Sequence, residues 1–175
     1  MGQDVRSPGG PRCIALVGPF QSGKTTLLEA ILARTGAIPR AGSVDAGTSV
    51  GDATAEAVRR AGIDTVGLLG TGFTMAQDFY RGRLESHGLT VLVPDEDDQA
   101  LVHRVIYDEL CLGVVREESR AAYVEVVDRL VAQGAQGVIL GCTEIEMLLQ
   151  DDDVPVPTFP TTRLHVEAAV DQALA

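Results

Sequence analysis

Short apolar runs alternate with longer segments of helical spacing along most of this chain, and this alternation constrains its fold more than any other feature. The apolar runs predict strands, and the segments with apolar residues every three or four positions predict helices. Strands that are joined through helices pair in parallel, and the helices cover both faces of the resulting sheet. The sequence therefore predicts an α/β fold in which ligands bind at the carboxyl ends of the strands.

The alternation divides the chain into three predicted segments. Residues 1–11 are rich in Gly and Pro and are expected to form a flexible tail. Residues 12–51 are predicted as a strand–loop–helix unit, and residues 52–175 as an α/β domain with a flavodoxin-like parallel sheet. The predicted strands are 13–17, 65–69, 90–93, 137–140 and 156–159, and the predicted helices are 24–34, 52–60, 75–87, 99–112, 117–133, 144–149 and 162–174.

The charge of the chain is acidic and unevenly distributed. The net charge is −11, made up of +2 in residues 1–51 and −13 in residues 52–175. This balance argues against nucleic acid as a partner, because binding phosphates requires a basic surface. No apolar run approaches the roughly 20 residues of a membrane helix and no export signal is found, so we expect a cytoplasmic protein without a membrane partner. The oligomeric state is left open, with a homodimer as one alternative.

A phosphate-binding motif lies between the first predicted strand and the first predicted helix. The sequence GPFQSGKT at residues 18–25 fits the pattern G-x-x-x-x-G-K-[ST] in the structural context that the motif requires. Backbone N–H groups of such a loop surround an anion, and the helix start adds a partial positive charge. Lys24 is the only lysine of the chain, so the compact ammonium occurs where this chemistry needs it. The predicted phosphate-binding residues are Gly18, Gln21, Ser22, Gly23, Lys24 and Thr25, and Thr25 would also bind Mg²⁺ if a nucleotide were bound.

Residues 13–52 resemble the opening segment of elongation-factor-G-type translational GTPases. The resemblance implies that a Mg-nucleotide is a cofactor at the phosphate loop. However, the Asp-x-x-Gly motif that senses the γ-phosphate does not follow, and the chain contains no Asn with which to read guanine. Most of the stabilisation that phosphoryl transfer needs is therefore missing. We expect phosphate or nucleotide binding at this loop, without GTP hydrolysis.

A second candidate site follows the predicted strand 137–140. Cys142 comes two residues after this strand, and Thr143 and Glu144 follow it at the start of a predicted helix. The dipole at a helix start favours a thiolate, so we expect the pKa of Cys142 to be lowered. A thiolate in this position acts as a general base toward a C–H group, or as a nucleophile. The alternative is a small buried residue without a chemical role.

Residues 52–175 resemble the aspartate/glutamate racemase family over nearly their whole length. The family implies an isomerase that needs no cofactor, in which two opposed residues remove a proton from the substrate Cα and return it on the other face. The resemblance is carried by GLLGTGFTM at 67–75, PDEDD at 94–98, IYDEL at 106–110, ESR at 118–120, GCTE at 141–144 and TTRLH at 161–165.

The resemblance also implies roles for individual residues, with a small acidic amino acid as the partner. Cys142 matches the proton carrier of the family's second half. Thr143 and Glu144 would bind the amino or carboxylate groups of the substrate. Thr71 and Thr74 lie near a predicted helix start, where hydroxyls and backbone N–H groups suit a carboxylate.

The sequence departs from the family in its first half. The opposing acid/base of that half has no counterpart here, and the GTPase-like residues 12–51 stand in its place. Tyr107 is expected either to line the pocket or to pack in the core. Packing roles are expected for the other cysteines and for the histidines, with a place near the pocket as the alternative for the histidines: Cys13, Cys111, His87, His103 and His165.

Three functional hypotheses follow from these two sites. The first is an amino-acid racemase-family enzyme that is incomplete or impaired, because the first half-site is missing. The second is a GTPase-like phosphate-loop module that binds a nucleotide or phosphate and turns nothing over. The third is an inactive chimeric fusion of the two segments.

Overall fold

The computed structural model describes Ile31, Arg34 and residues 52–174. Ile31 and Arg34 are helical, and both fall within the helix predicted for residues 24–34. Cys13 and all six predicted phosphate-binding residues, from Gly18 to Thr25, lie outside the described residues.

Helices and strands alternate through residues 52–174, as the sequence predicts. The strands are β1 (Thr65–Leu69), β2 (Thr90–Leu92), β3 (Gly137–Leu140) and β4 (Thr158–Pro160). The helices are α1 (Asp52–Arg60), α2 (Gly72–Ala76), α3 (Asp78–Ser86), α4 (Glu96–Asp108), α5 (Glu117–Ala132), α6 (Ile145–Leu148) and α7 (Thr161–Leu174), with 3-10 turns at Leu110–Leu112 and Asp151–Asp153.

The four strands form one parallel sheet in the order β2-β1-β3-β4. The chain moves outward from β1 to β2 and then crosses back to β3 on the other side of β1. The strand order therefore reverses between β1 and β3, and open α/β sheets bind ligands in the crevice at such a reversal. Leu69 at the end of β1 is paired in register with Leu140 at the end of β3.

The sheet is buried on both faces because alternate residues of its central strands point to opposite sides. On β3, Val138 and Leu140 pack with α4, α5 and α6, whereas Ile139 packs with α1 and α3. A fully buried Leu or Ile contributes about 1.5–3 kcal/mol relative to an exposed one. β1 and β3 are almost entirely apolar because each contacts an apolar cluster on both faces of the sheet. The predicted α/β fold is confirmed.

Two predicted helices are interrupted in the structure. The helix predicted for 75–87 is divided at Gln77, whose extended backbone (φ −92°, ψ 140°) ends α2 and precedes α3. The helix predicted for 99–112 ends at Asp108 and continues as the 3-10 turn Leu110–Leu112. Neither break falls at a proline or a glycine, so the sequence carried no local signal for it.

No helix within the described part of the chain has the length and apolar character to cross a bilayer.

Candidate active site

The candidate site lies where the chain leaves the two central strands. Gly70 follows β1 and Gly141 follows β3, and the Gly141 N–H donates to the carbonyl of Leu69 at 2.7 Å. This bond extends the pairing of the strands by one residue beyond Leu140. The two turns therefore start side by side, at the reversal of strand order.

Glycine at position 141 allows the two turns to touch. A Cβ added to Gly141 would lie 2.9 Å from the Leu69 carbonyl oxygen and 3.4 Å from Cγ2 of Thr74. Thr74 also lies against Gly70, where an added Cβ would meet its side chain at 3.0 Å. Thr74 is thus placed directly beside the residue that precedes Cys142, and the predicted site residues of both turns come together.

A hydrogen-bonded group of three residues follows β3. The half-buried thiol of Cys142 donates to Oε2 of Glu144 at 2.7 Å, and the Thr143 hydroxyl donates to the same oxygen at 2.7 Å. Sequence reasoning assigned Thr143 and Glu144 to the substrate. In the structure Glu144 accepts hydrogen bonds from both Thr143 and the thiol, so its carboxylate affects the protonation of Cys142.

The expected lowering of the Cys142 pKa is wrong. Burial of the thiol, reinforced by the hydrogen bond to Glu144, raises the pKa of Cys142 to about 12. Burial opposes ionisation of Glu144 as well, but the hydrogen bonds from Cys142 and Thr143 outweigh it and lower the pKa of that carboxyl group. The helix that was expected to favour the thiolate is only the four residues Ile145–Leu148, so burial of the thiol and then the adjacent carboxylate outweigh its weak dipole. At neutral pH the pair is a thiol and a carboxylate.

The turn after β1 carries hydroxyl groups and no charge. Thr71 caps α2 by accepting from the Thr74 N–H at 3.3 Å, and the two hydroxyl oxygens lie 3.1 Å apart. Both side chains are partly exposed, so they are accessible beside the Gly141 turn. The pairing of Thr71 with Thr74 follows from their spacing of three residues across a helix start.

Tyr107 is exposed by 46%, which excludes the alternative of a core position. Its ring packs on the imidazole of His103 with 4.7 Å between the centroids. His103 in turn accepts a hydrogen bond from the Gly72 N–H at its Nδ1 atom, at 3.0 Å. Sequence reasoning missed this connection, although the spacing of four residues from His103 to Tyr107 places both on one face of a helix.

Cys111 was expected to be a packing residue, and this is wrong. It is exposed, on the 3-10 turn Leu110–Leu112. Partial burial and the negative charge of Glu144 raise the pKa of Cys111, and Cys111 in turn contributes to the raised pKa of Cys142. The two thiols therefore lie on the same side of the molecule.

Arg120, from the ESR segment at 118–120, supports the chain that follows the Cys142 turn. Its Nη1 donates to the backbone carbonyl of Leu148 and to Oδ2 of Asp153, the latter at 2.8 Å. These bonds tie α5 to the end of α6, the helix that begins directly after Glu144. Arg120 is therefore a structural residue that holds the chain following the thiol.

No group of three or more Cys, His, Asp or Glu side chains within the described residues is arranged to hold a metal ion.

The comparison with known protein families decides the affiliation of the chain. The family model described as Asp/Glu/Hydantoin racemase matches residues 47–169. The chain belongs to this racemase family. Racemases of this family act on small amino acids and need no cofactor for the proton transfer.

Solved structures agree with this affiliation. A Yersinia pestis protein whose name assigns it to the Asp/Glu racemases is 53% identical to the chain, with a TM-score of 0.70. An aspartate racemase homologue from Pyrococcus horikoshii is 34% identical, with a TM-score of 0.68. Each match covers 73% of this chain and 56% of the other protein. The chain thus spans little more than half the length of these racemase-family structures.

Two kinds of curated relatives are similar in sequence. A protein from the pnlA 3′ region of Pectobacterium carotovorum is 32% identical over 104 residues, which are 59% of this chain and 68% of that protein. An elongation factor G-like protein of Mycobacterium tuberculosis is 50% identical over 48 residues, which are 27% of this chain and only 7% of that protein. So short a match does not support a fused GTPase domain.

Proposed function

We propose that this racemase-family protein acts at the Cα of an acidic amino acid by proton transfer without a cofactor, with Cys142 as the proton carrier. The observation that carries the proposal is the thiol–carboxylate pair of Cys142 and Glu144 at the reversal of strand order. Thr71 and Thr74 lie on the neighbouring turn and would receive a substrate carboxylate.

In the resting pair Cys142 keeps its proton. The pKa of the thiol is about 12, while that of Glu144 lies below its usual value of 4.5, so transfer of the thiol proton to Glu144 is steeply uphill. Each unit between the two pKa values costs about 1.4 kcal/mol. A site that removes a substrate proton must therefore first change the surroundings of the thiol.

The ammonium group of the substrate supplies that change. An ammonium that pairs with Glu144 takes over the carboxylate oxygen now bonded to the thiol and brings a positive charge next to Cys142. Both effects favour the thiolate. The thiol then releases its proton to solvent. The resulting thiolate takes the α-proton to form a new S–H bond, and the electron pair of the broken C–H bond remains on the substrate as a carbanion. Return of the proton from the same thiol restores the starting amino acid.

Inversion needs a second proton carrier on the opposite face of Cα. The chain spans 56% of each of the two racemase-family structures, and the family's opposing residue has no counterpart in the sequence. We therefore propose an incomplete or impaired racemase activity for this chain, in which exchange of the α-proton with solvent exceeds inversion. Tyr107 packs on His103, which bonds the turn that carries Thr71 and Thr74, and we propose that it contacts the substrate side chain.

Loss of deuterium from α-deuterated aspartate and glutamate, followed by proton NMR, tests the proposal. Cys142→Ala should reduce the exchange rate at least about 100-fold, the lower range for a general acid or base. Cys111→Ala removes the other described thiol and serves as the matched control. Equal exchange by wild type and Cys142→Ala would exclude the proposal, and chiral chromatography of the same samples measures inversion.

A second candidate function is binding of a Mg-nucleotide or phosphate at Gly18–Thr25. Its support is the complete G-x-x-x-x-G-K-T motif and the 48-residue similarity to an elongation factor G-like protein. A ligand that binds only the folded state raises the melting temperature. Millimolar Mg-GTP should therefore stabilise the wild type but not Lys24→Ala. A chain that shows neither this stabilisation nor Cys142-dependent exchange would be an inactive chimeric fusion.

A further inference from the structure

His103 reaches from α4 to the turn that follows β1. Its Nδ1 atom accepts a hydrogen bond from the backbone N–H of Gly72, with 3.0 Å between the nitrogen atoms. An imidazole nitrogen accepts a hydrogen bond only through its lone pair, so Nδ1 is the acceptor atom of this contact. The contact joins residues that are 31 positions apart in the sequence.

This bond occupies a backbone donor of the turn. The first N–H groups of a helix have no partner within that helix. In α2 the Thr74 N–H is taken by Thr71, and the Gly72 N–H is taken by His103. Both ends of the Thr71–Thr74 turn are thereby held, one from within the turn and one from another helix.

Glycine at position 72 fits the imidazole. The positive-φ glycines among the described residues are Gly62, Gly88, Gly113 and Gly134, so Gly72 is not required by its backbone conformation. A Cβ added to Gly72 would lie 3.3 Å from Nδ1 of His103. The absence of a side chain therefore permits the close approach of the ring.

Two aromatic rings fix the orientation of His103. Phe73 meets the imidazole edge to face at 6.2 Å, and Tyr107 packs on it at 4.7 Å. Phe73 and Tyr107 are themselves exposed, by 56% and 46%. The imidazole lies beside a groove of about 370 Å³, whose lining includes Gly72, Phe73, Ala76, Gln99 and His103.

We propose that His103 is a positioning residue, which holds the Thr71–Thr74 turn in the conformation that receives the substrate carboxylate. The inference rests on the proposed function, because it assigns the carboxylate to this turn. His103 acts through the Gly72 N–H, and the thiol of Cys142 belongs to the neighbouring turn. Loss of the imidazole acceptor should therefore weaken substrate binding and leave the proton-transfer step unchanged.

Two substitutions separate the hydrogen bond from packing. His103→Phe keeps an aromatic ring between Phe73 and Tyr107 but removes the acceptor. His103→Asn removes the ring but places Oδ1 where Nδ1 stands, so the acceptor is restored. If His103 served packing alone, His103→Phe would behave more like wild type than His103→Asn. If His103 serves as the hydrogen-bond acceptor, His103→Asn would behave more like wild type.

The first readout is the Gly72 amide, observed by nitrogen-15 NMR and hydrogen exchange. It does not depend on catalysis. In His103→Phe the Gly72 amide should exchange about two- to tenfold faster than in wild type, the range for one lost hydrogen bond. In His103→Asn it should remain close to wild type. Unchanged exchange in His103→Phe would overturn the inference at its first step.

The second readout is catalytic. KM for α-proton exchange of aspartate should rise about two- to tenfold in His103→Phe, with kcat retained, and should return toward wild type in His103→Asn. A fall in kcat alone, or equal KM in both variants, would overturn the positioning role. If wild type exchanges no α-proton, the proposed function fails. Aspartate-induced shifts of the Thr71 and Thr74 amides then decide the inference, which fails if these shifts are absent.

Discussion

The chain leaves the sheet in the same manner after β1 and after β3, but the two turns have different chemistry. Each begins with a glycine after a buried leucine, and the leucines are register partners. The first turn uses neutral groups: the hydroxyls of Thr71 and Thr74. The second concentrates a thiol, a hydroxyl and a carboxylate within three residues.

The turns after β1 and β3 start at equivalent positions of the sheet but differ in how their polar groups are held. The turn after β1 is held by a cap and by a histidine from another helix, so its polar groups are fixed before a substrate arrives. In the turn after β3, burial and the hydrogen bond to Glu144 raise the pKa of the thiol. Under the proposed function, the first turn would bind substrate without rearranging, whereas the second would have to change before the thiol reacts.

The largest expected effect concerns the contact between the two turns. Gly141→Ala places a Cβ 2.9 Å from the Leu69 carbonyl oxygen, where the backbone cannot yield without disturbing β1. The free energy of unfolding should fall by about 2–3 kcal/mol, as measured by urea denaturation. Gly82→Ala in α3 is the control, because a Cβ there meets no atom within 4 Å and alanine favours the helix. Equal stability of the two variants would mean that the turns do not touch.

The second prediction tests the effect of the Glu144 carboxylate, the charged group that distinguishes the turn after β3 from the turn after β1. Glu144→Gln removes the carboxylate that raises the pKa of Cys142, so alkylation of this thiol by iodoacetamide should accelerate about tenfold for each unit by which the pKa falls. In wild type the rate should climb with pH up to about 12 without a plateau, because the thiolate fraction keeps increasing up to the pKa. Peptide mass spectrometry separates Cys142 from Cys111.

Cys111 is the internal reference for that experiment. It is exposed, and the charge of Glu144 raises its pKa less directly than that of the bonded thiol. Its alkylation should change much less in Glu144→Gln. Equal acceleration at both thiols would point to a general loosening of the fold, and the specific hydrogen bond would be excluded as the cause.

The smallest effect compares one threonine from each of the two turns. Thr71→Ala removes the cap of α2 and should cost about 1 kcal/mol of unfolding free energy. Thr143→Ala removes an exposed hydroxyl that bonds Glu144 and should cost less than about 0.5 kcal/mol. Thermal denaturation of both variants measures the difference, and a larger loss in Thr143→Ala would reverse the roles assigned to the turns.

The strands that position the site could be predicted from the sequence. The bounds of β1 and β3 were predicted without error, since a short apolar run that is buried on both faces leaves few alternatives. The position of Cys142 two residues beyond β3 follows from the same apolar run, and Thr71 was expected near a helix start. The break at Gln77 was missed, because no residue with a fixed backbone preference marks it and the tertiary structure imposes it.

The chemistry of the site was less accessible from the sequence. Placing Cys142 before a helix suggested a low pKa, but the direction depends on which neighbour lies closest to the sulfur. Burial of the thiol, together with the Glu144 carboxylate that turns back to it, reverses the expectation. The bond from Gly72 to His103 was also beyond sequence reasoning, since its partners meet only when α4 packs beside the turn after β1.

By itself, the sequence determined the racemase family affiliation, the parallel α/β architecture and the placement of the polar segments at the strand ends. These properties follow from apolar periodicity and from local motifs, both of which depend only on residues that are close together in the sequence. Only the tertiary structure decided the protonation of Cys142, the exposure of Tyr107 and Cys111, and the support of the first turn by His103. The physical reason is that burial and short-range electrostatics depend on distances between side chains, which only the packed chain defines.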